Sequence, residues 1–297
     1  MITTTLLGRF YIYQKLRFPI IILSLSLLPA ILSTAAIVTK NPSVLQIIGG
    51  LMATILYLLH VRIIDEKRDF HHDSIYHKSR PLQTGLISLK ELQIIDNFVV
   101  VLILLIALFA GIYPFLLGVL MLSYSFIASK EFFMGEKLHK HFFIYNIINT
   151  MQTFIMQLFA YSFFAGYIPF TILLVLHYIF TCIGTVVFEF VRKIKIPGMD
   201  GAGKDTYTWY LGFNNSIVIY LVLALLATVF FYQIMSIITG QNIFWLFLSA
   251  VLLGIALQSA LIHLVKKTIQ TEHLMQLSFV VVYTIFNLVI FYKSNGL

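Results

Sequence analysis

Long apolar runs separated by short polar connections repeat along the whole of this 297-residue chain. A helix needs about 20 residues to cross a hydrocarbon core of roughly 30 Å. Runs of that length fall near 19–39, 44–64, 92–110, 112–130, 142–165, 168–190, 213–238, 243–265 and 274–292. Only helices and closed barrels satisfy every backbone group in lipid, and these runs lack the alternation of barrel strands. The pattern predicts an all-α, polytopic membrane protein with nine transmembrane helices. The first run opens after Phe18-Pro19, exceeds a signal-peptide core and is followed by no small-residue cleavage pattern, so it reads as a retained span. No linker or low-complexity stretch intervenes, and residues 1–297 read as a single membrane-embedded domain.

Composition agrees. Hydrophobic residues make up 60% of the chain and charged ones 11%, too little polar surface to coat a soluble globule of this size. The single Cys, Cys182, lies inside an apolar run, which excludes a disulfide framework or a CxxC redox pair and leaves a packing role. An excess of 20 Lys and Arg over 12 Asp and Glu does not indicate nucleic acid, because the charges sit in short loops rather than on an exposed domain. Arg9, Lys15 and Arg17, with the connections after the second, fourth, sixth and eighth runs, hold every Lys and Arg except Lys40 and Lys293. All twelve acids fall on that same side. The positive-inside rule makes this side cytoplasmic, with the amino terminus inside and the carboxyl terminus outside, in the cell inner membrane.

The connection after the second run carries the densest chemistry: Arg62-Ile-Ile-Asp65-Glu66-Lys-Arg-Asp69-Phe-His-His-Asp73, then Ser79-Arg80-Pro81-Leu82-Gln83-Thr84-Gly85. If the helix continues a turn or two beyond the hydrocarbon, Asp65, Asp69 and Asp73 stack at i, i+4 and i+8, where like charges repel. Two readings are open. The turn is solvated and neutralised by Lys67, Arg68 and Arg80, or the carboxylates hold a cation, for which oxygen-only ligands with room for phosphate suit Mg²⁺. His71 and His72 read as loop residues, since adjacent helical positions do not converge on one ion.

This stretch resembles the first signature of the UbiA superfamily of intramembrane prenyltransferases. That signature is an N-D-x-x-D-x-x-x-D segment ending the second helix, followed by Arg-Pro-Leu and Gly. Asp65, Glu66, Asp69 and Asp73 match its four positions, with Asp in place of the usual Asn, and Arg80-Pro81-Leu82 and Gly85 match its tail. The resemblance implies nine helices around a central cavity. It also implies Mg²⁺ held by Asp65, Glu66, Asp69, Asp73 and Glu189, with Arg80 among the catalytic residues.

After the sixth run comes Glu189-Phe-Val-Arg192-Lys193, then Gly203-Lys204-Asp205-Thr206 and Leu211-Gly212. The tail matches the family's second signature. Its acidic part departs, because Arg192 and Lys193 stand where acids are expected. Guanidinium and ammonium groups bind phosphate directly, so Arg62, Lys130, Arg192, Lys193 and Lys204 are the expected diphosphate-binding cations. Ordinary orientation signals are the alternative. Gly198-x-x-x-x-Gly203-Lys204 imitates a P-loop, but Asp205 follows where Ser or Thr is required and no strand precedes it. Tyr124-Ser125 with Lys130-Glu131 resembles a third, weaker element, with interfacial anchoring as its other reading.

The expected activity is Mg²⁺-dependent transfer of a prenyl group from an isoprenoid diphosphate donor to a lipophilic, aromatic acceptor. A membrane terpene cyclase on the same scaffold is the alternative. A transporter is disfavoured, since ionisable residues gather at one mouth rather than at mid-membrane, His177 excepted, which reads as a hydrogen-bonded packing residue.

Overall fold

In a computed structural model of the chain, residues 5–138, 141–199 and 204–296 are described, and of Glu136 and Lys137 only the backbone. Among them the structure is helical throughout. Helices α1 (Leu6–Arg17), α2 (Ile20–Val38), α3 (Val44–Arg68), α4 (Phe70–Tyr76), α5 (Leu89–Ala110) and α6 (Ile112–Ser129) are followed by a 3₁₀ turn, Glu131–Phe133, and α7 (Gly135–Leu138). Then come α8 (Phe142–Ala165), α9 (Ile172–Arg192), α10 (Tyr207–Leu211), α11 (Phe213–Thr239), α12 (Ile243–Lys266) and α13 (Ile269–Ser294).

A long helix occupies each of the nine expected positions, and eight are long and apolar enough to cross a membrane. The ninth, α8, has 24 residues, about 36 Å at 1.5 Å per residue, but Asn146, Asn149, Gln152 and Gln157 dilute its apolar character. Helix α3 continues four residues past the expected end, to Arg68, carrying Asp65 and Glu66 on its last turn. Ser43 and Gln46 start it with a reciprocal capping box, and Ser88 and Glu91 do the same for α5. Each box satisfies two otherwise orphaned N–H groups.

The chain forms two compact units, residues 1–31 with 43–168 and residues 32–42 with 169–297. In the first, α3 packs on α5 and α8, and α6 lies against α5 and α8. Its interior holds two polar contacts between helices. The Tyr57 hydroxyl meets Ser125 Oγ at 2.7 Å, and His60 Nδ1 meets Asp96 Oδ1 at 2.6 Å, with all four residues buried.

In the second unit, α11 lies against α9 and α12, and α13 against α12 and α9. Phe180, Phe231, Phe286, Trp245 and Ile290 form its apolar core. His177 is wholly buried and meets Ser33 Oγ at 3.2 Å, while Ser33 donates to Asn287 Oδ1 at 2.6 Å, the packing role expected of this histidine. In an apolar interior, polar groups satisfied by one another tie the helices that carry them.

Gly184 of α9 is the most tightly enclosed of the described glycines in this unit. A Cβ there would lie 2.3–2.6 Å from the Tyr283 ring, itself stacked against Phe180 and Phe279 with centroids 5.1 and 5.7 Å away. The ring cannot retreat without disturbing both neighbours. Gly184→Ala is expected to destabilise the protein by roughly 1–3 kcal/mol through overpacking. Gly254→Ala on α12, where a Cβ meets nothing within 4 Å, is expected to be neutral or mildly stabilising. Thermal unfolding of both variants in detergent checks the contrast.

Candidate active site

The predicted acidic ladder is present but bent. Backbone bonds Asp69 N–H to Asp65 C=O (2.8 Å) and Asp73 N–H to Asp69 C=O (2.9 Å) keep the four-residue repeat. Helix α3 nevertheless ends at Arg68, and Asp69 stands at the junction with α4.

Each acid of this loop has an arginine. Arg68 donates through Nη2 to Asp65 (2.7 Å) and through Nε to Asp69 (3.3 Å). Arg80 pairs with Asp73, whose side chain is 3% exposed, closing the loop that runs through Pro81 to Gly85. Glu66, fully enclosed, accepts from Arg62 at 2.6 Å and from Arg17 of α1 at 2.9 Å. Both arginines bond Oε1, and Oε2 is buried with no hydrogen-bond partner among the described residues. Glu66, expected to assist a metal, thus anchors α1 to the end of α3 through one oxygen and leaves the other unbonded. Arg62, expected on a diphosphate, donates through Nη2 to the same carboxylate. Arg9 of α1 pairs with Glu91 of α5. Tyr13 is buried beside these charges, and burial, then the Glu66 carboxylate, raise its pKa well above the ordinary phenol value.

The structure does not draw Asp65, Asp69 and Asp73 into one coordination sphere. Among the described residues, the group of three potential ligands within 4.8 Å of one another is His72, Asp73 and His77. His71 is not part of this group; His72 joins it because α4 stops at Tyr76 and the chain folds His77 back toward His72, ring centroids 5.9 Å apart.

In the second unit the end of α9 binds its own charges. Glu189 receives Arg192 (Nε, 2.7 Å) and Lys193 (2.8 Å). It belongs to no group of three potential ligands among the described residues. Glu189, expected as a metal ligand, is here the counter-ion that holds Arg192 and Lys193 at the helix end. Phe190 stacks on Tyr207 of α10 at 4.2 Å, and burial, then the Glu189 carboxylate, push the Tyr207 phenol up to about 12. Lys204 is exposed, 5.8 Å over the Trp209 ring. Lys195 pairs with Glu272 of α13 at 2.5 Å. Gly203 and Asp200, along with the carboxyl group of Glu136, lie outside the described residues.

Lys130 is exposed at the end of α6, and the Tyr124 hydroxyl donates to the Ile148 carbonyl of α8 at 2.8 Å, an interhelical tie. Residues that sequence reasoning passed over are Arg17 and the partners of Arg68 on α8. Asn149 accepts from Arg68 Nη1 at 3.0 Å, and the Tyr145 ring lies 5.3 Å from the guanidinium. The motif names neither. The His60–Asp96 pair was equally hidden, because its members lie 36 residues apart.

The profile of the UbiA prenyltransferase family matches residues 26–286. No curated protein matches the chain. Among solved structures, a digeranylgeranylglyceryl phosphate synthase is similar with TM-score 0.65 and 18% identity, over 97% of this chain and 99% of its own. A UbiA homologue from Aeropyrum pernix K1 is similar with TM-score 0.66 and 14% identity, over 90% and 97%. A UbiA homologue from Archaeoglobus fulgidus bound to DMAPP and Mg²⁺ is similar with TM-score 0.63 and 15% identity, over 96% and 99%. At these identities the likeness is one of fold.

The Arg80–Asp73 pair generates a stability prediction. Removing one partner of a buried ion pair strands the other charge, at a cost of about 3–5 kcal/mol. Arg80→Ala is expected to lose stability on that scale, and adding Asp73→Asn is expected to restore most of it, as measured in a double-mutant cycle of unfolding in detergent.

Proposed function

Because this chain belongs to the UbiA prenyltransferase family, we propose that it transfers a prenyl group from an isoprenoid diphosphate to a lipophilic, aromatic acceptor in the membrane, with Mg²⁺ as cofactor. On this proposal residues 1–297 act as one catalytic domain, with the amino terminus and the charged loops cytoplasmic. The observation that carries it is the set Asp65, Asp69, Asp73 and Arg80, gathered at the end of one membrane helix and on the short turn that follows. The DMAPP and Mg²⁺ bound by the Archaeoglobus homologue support the same donor class and metal here.

The residues fit the ion by donor chemistry. Mg²⁺ prefers oxygen, keeps several waters, and is ordinarily held by one or two carboxylates together with substrate phosphates rather than by an all-protein cage. Asp65 and Asp69 are 29% and 42% exposed, so incoming phosphate reaches them, while Asp73 is held from behind by Arg80. When bound, Mg²⁺ supplies Lewis-acid neutralisation of the leaving diphosphate.

The chain's own contribution is positional and electrostatic. Asp65, Asp69 and Asp73 would hold the ion, and Arg80 orients Asp73. Arg192, Lys193, Lys204 and Lys130 offer donors that stabilise phosphate charge as it grows. In the reaction the bond between the allylic carbon and the diphosphate oxygen breaks, and its electron pair leaves with diphosphate. The acceptor's nucleophilic atom bonds to that carbon and gives up a proton. Apolar helices keep water from the allylic cation.

Purified protein is incubated with Mg²⁺, allylic diphosphates of increasing length and a membrane lipid extract, and the products are weighed by mass spectrometry. A prenylated acceptor is expected, with none formed by Asp69→Ala or Asp73→Ala although both still insert and fold. Full turnover by both variants removes these ligands from the proposal, and a cyclic hydrocarbon or alcohol from donor alone replaces transfer with cyclisation. In a companion measurement, Arg192→Ala is expected to weaken donor binding about tenfold, the scale of one charge-assisted hydrogen bond, while the Mg²⁺ dependence is unchanged. Unaltered donor affinity returns Arg192 to an orientation role.

A further inference from the structure

We propose that Arg68 is a built-in counter-ion of the acidic cluster, a positioning residue that keeps Asp65 and Asp69 from retaining a divalent ion until a diphosphate arrives with it. The inference rests on the proposed function, since it takes Asp65 and Asp69 as the metal-facing carboxylates.

The geometry is that of a constructed site. All three guanidinium nitrogens of Arg68 are engaged: Nη2 by Asp65, Nε by Asp69 and Nη1 by Asn149 of α8. The Tyr145 ring lies alongside, and the side chain is only 8% exposed. A cation that merely offset loop charge in water would keep solvent on most of its fork. This one is clamped from a different helix, 81 residues further along the chain. The fork therefore has a fixed position, with one arm on each of two carboxylates, and a lysine could not reproduce it.

The charge balance gives the clamp its consequence. Four carboxylates, Asp65, Glu66, Asp69 and Asp73, are matched by four arginines, Arg17, Arg62, Arg68 and Arg80. The cluster is formally neutral, so a bare divalent cation meets no strong attraction and is repelled at short range by the Arg68 guanidinium. A divalent ion already on a diphosphate is a different ligand. The complex is a net anion, its phosphate oxygens accept from guanidinium, and its metal still has coordination positions for Asp65 and Asp69. Arg68 thus opposes free metal and favours the metal–polyanion complex, so that ion and donor headgroup load together. A unit charge beside a divalent ion changes its affinity by roughly tenfold or more.

The test is Mn²⁺ binding followed by electron paramagnetic resonance on the full chain in detergent, with and without inorganic pyrophosphate. Wild type is expected to bind Mn²⁺ weakly alone and much more tightly with pyrophosphate. Arg68→Gln is expected to bind Mn²⁺ alone about tenfold more tightly and the Mn²⁺–pyrophosphate complex less tightly. A gain in affinity is an effect that a damaged fold does not produce. Should Arg68→Gln fail to fold, Arg68→Lys, which keeps the charge but reaches one carboxylate at most, is expected to raise affinity for Mn²⁺ alone by a smaller factor. Unchanged or weaker binding of Mn²⁺ alone in the folded variants overturns the role given to Arg68. If wild type ignores Mn²⁺–pyrophosphate, or binds it equally well with Asp69→Asn, the proposed function itself fails. If binding depends on Asp69 but not on Arg68, that function stands and this inference falls.

Discussion

A carboxylate at the edge of a hydrocarbon layer has little water to solvate it, so it must find a cation or lose its charge. That constraint organises the charged chemistry of this protein. At the end of α3 it selects arginine every time, from the same helix for Glu66 and Asp65, from the next turn for Asp73, and from α1 for Glu66 again. Arginine suits the task because its planar fork bonds two oxygens at fixed angles while staying ionised. The pairs do more than neutralise. Arg17 fastens α1 to α3, Arg9 fastens it to α5, and Arg80 sets the turn that leads into α5. The ion pairs are therefore also the mechanical links of the loop they solvate.

The helices were legible because lipid imposes a length. Runs of about 20 apolar residues have few alternatives, and each matched a helix to within a few residues. The ends were less legible, since capping and charge pairing settle them: α3 runs on to Arg68 and α13 begins at Ile269, just after its Thr268 cap. Helix α1 escaped notice for a related reason. Its twelve residues mix Arg9, Tyr13, Lys15 and Arg17 with apolar neighbours without a clear stripe, and tertiary ion pairs, which no local pattern encodes, hold it in place.

For the candidate site, identities were readable and partnerships were not. The four-residue spacing of Asp65, Asp69 and Asp73 pointed to a shared face, and the backbone keeps that spacing. Which acids stay open to a ligand depends on which arginine each one meets. Glu66 differs from its neighbours only through Arg17, 49 positions earlier, and Arg68 differs from a solvated cation only through Asn149 and Tyr145 on α8. Spacing reports what a helix presents. Enclosure is decided by a second element arriving from elsewhere in the chain.

The two charged loops solve the same problem with opposite ratios. The four acids at the end of α3 and on the turn after it are paired by four arginines, one of them Arg17 of α1, whereas the end of α9 has one acid, Glu189, shared by Arg192 and Lys193. A neutral set of carboxylates and guanidinium groups suits an ion and a phosphate arriving together, because the more exposed acids, Asp65 and Asp69, can turn from arginine to metal while the arginine turns to phosphate. A set with surplus positive charge has nothing to offer a metal and everything to offer an anion. Where the second loop departs from the family's acidic pattern, its one carboxylate, Glu189, gathers Arg192 and Lys193 at the helix end, so the charge exposed there is cationic.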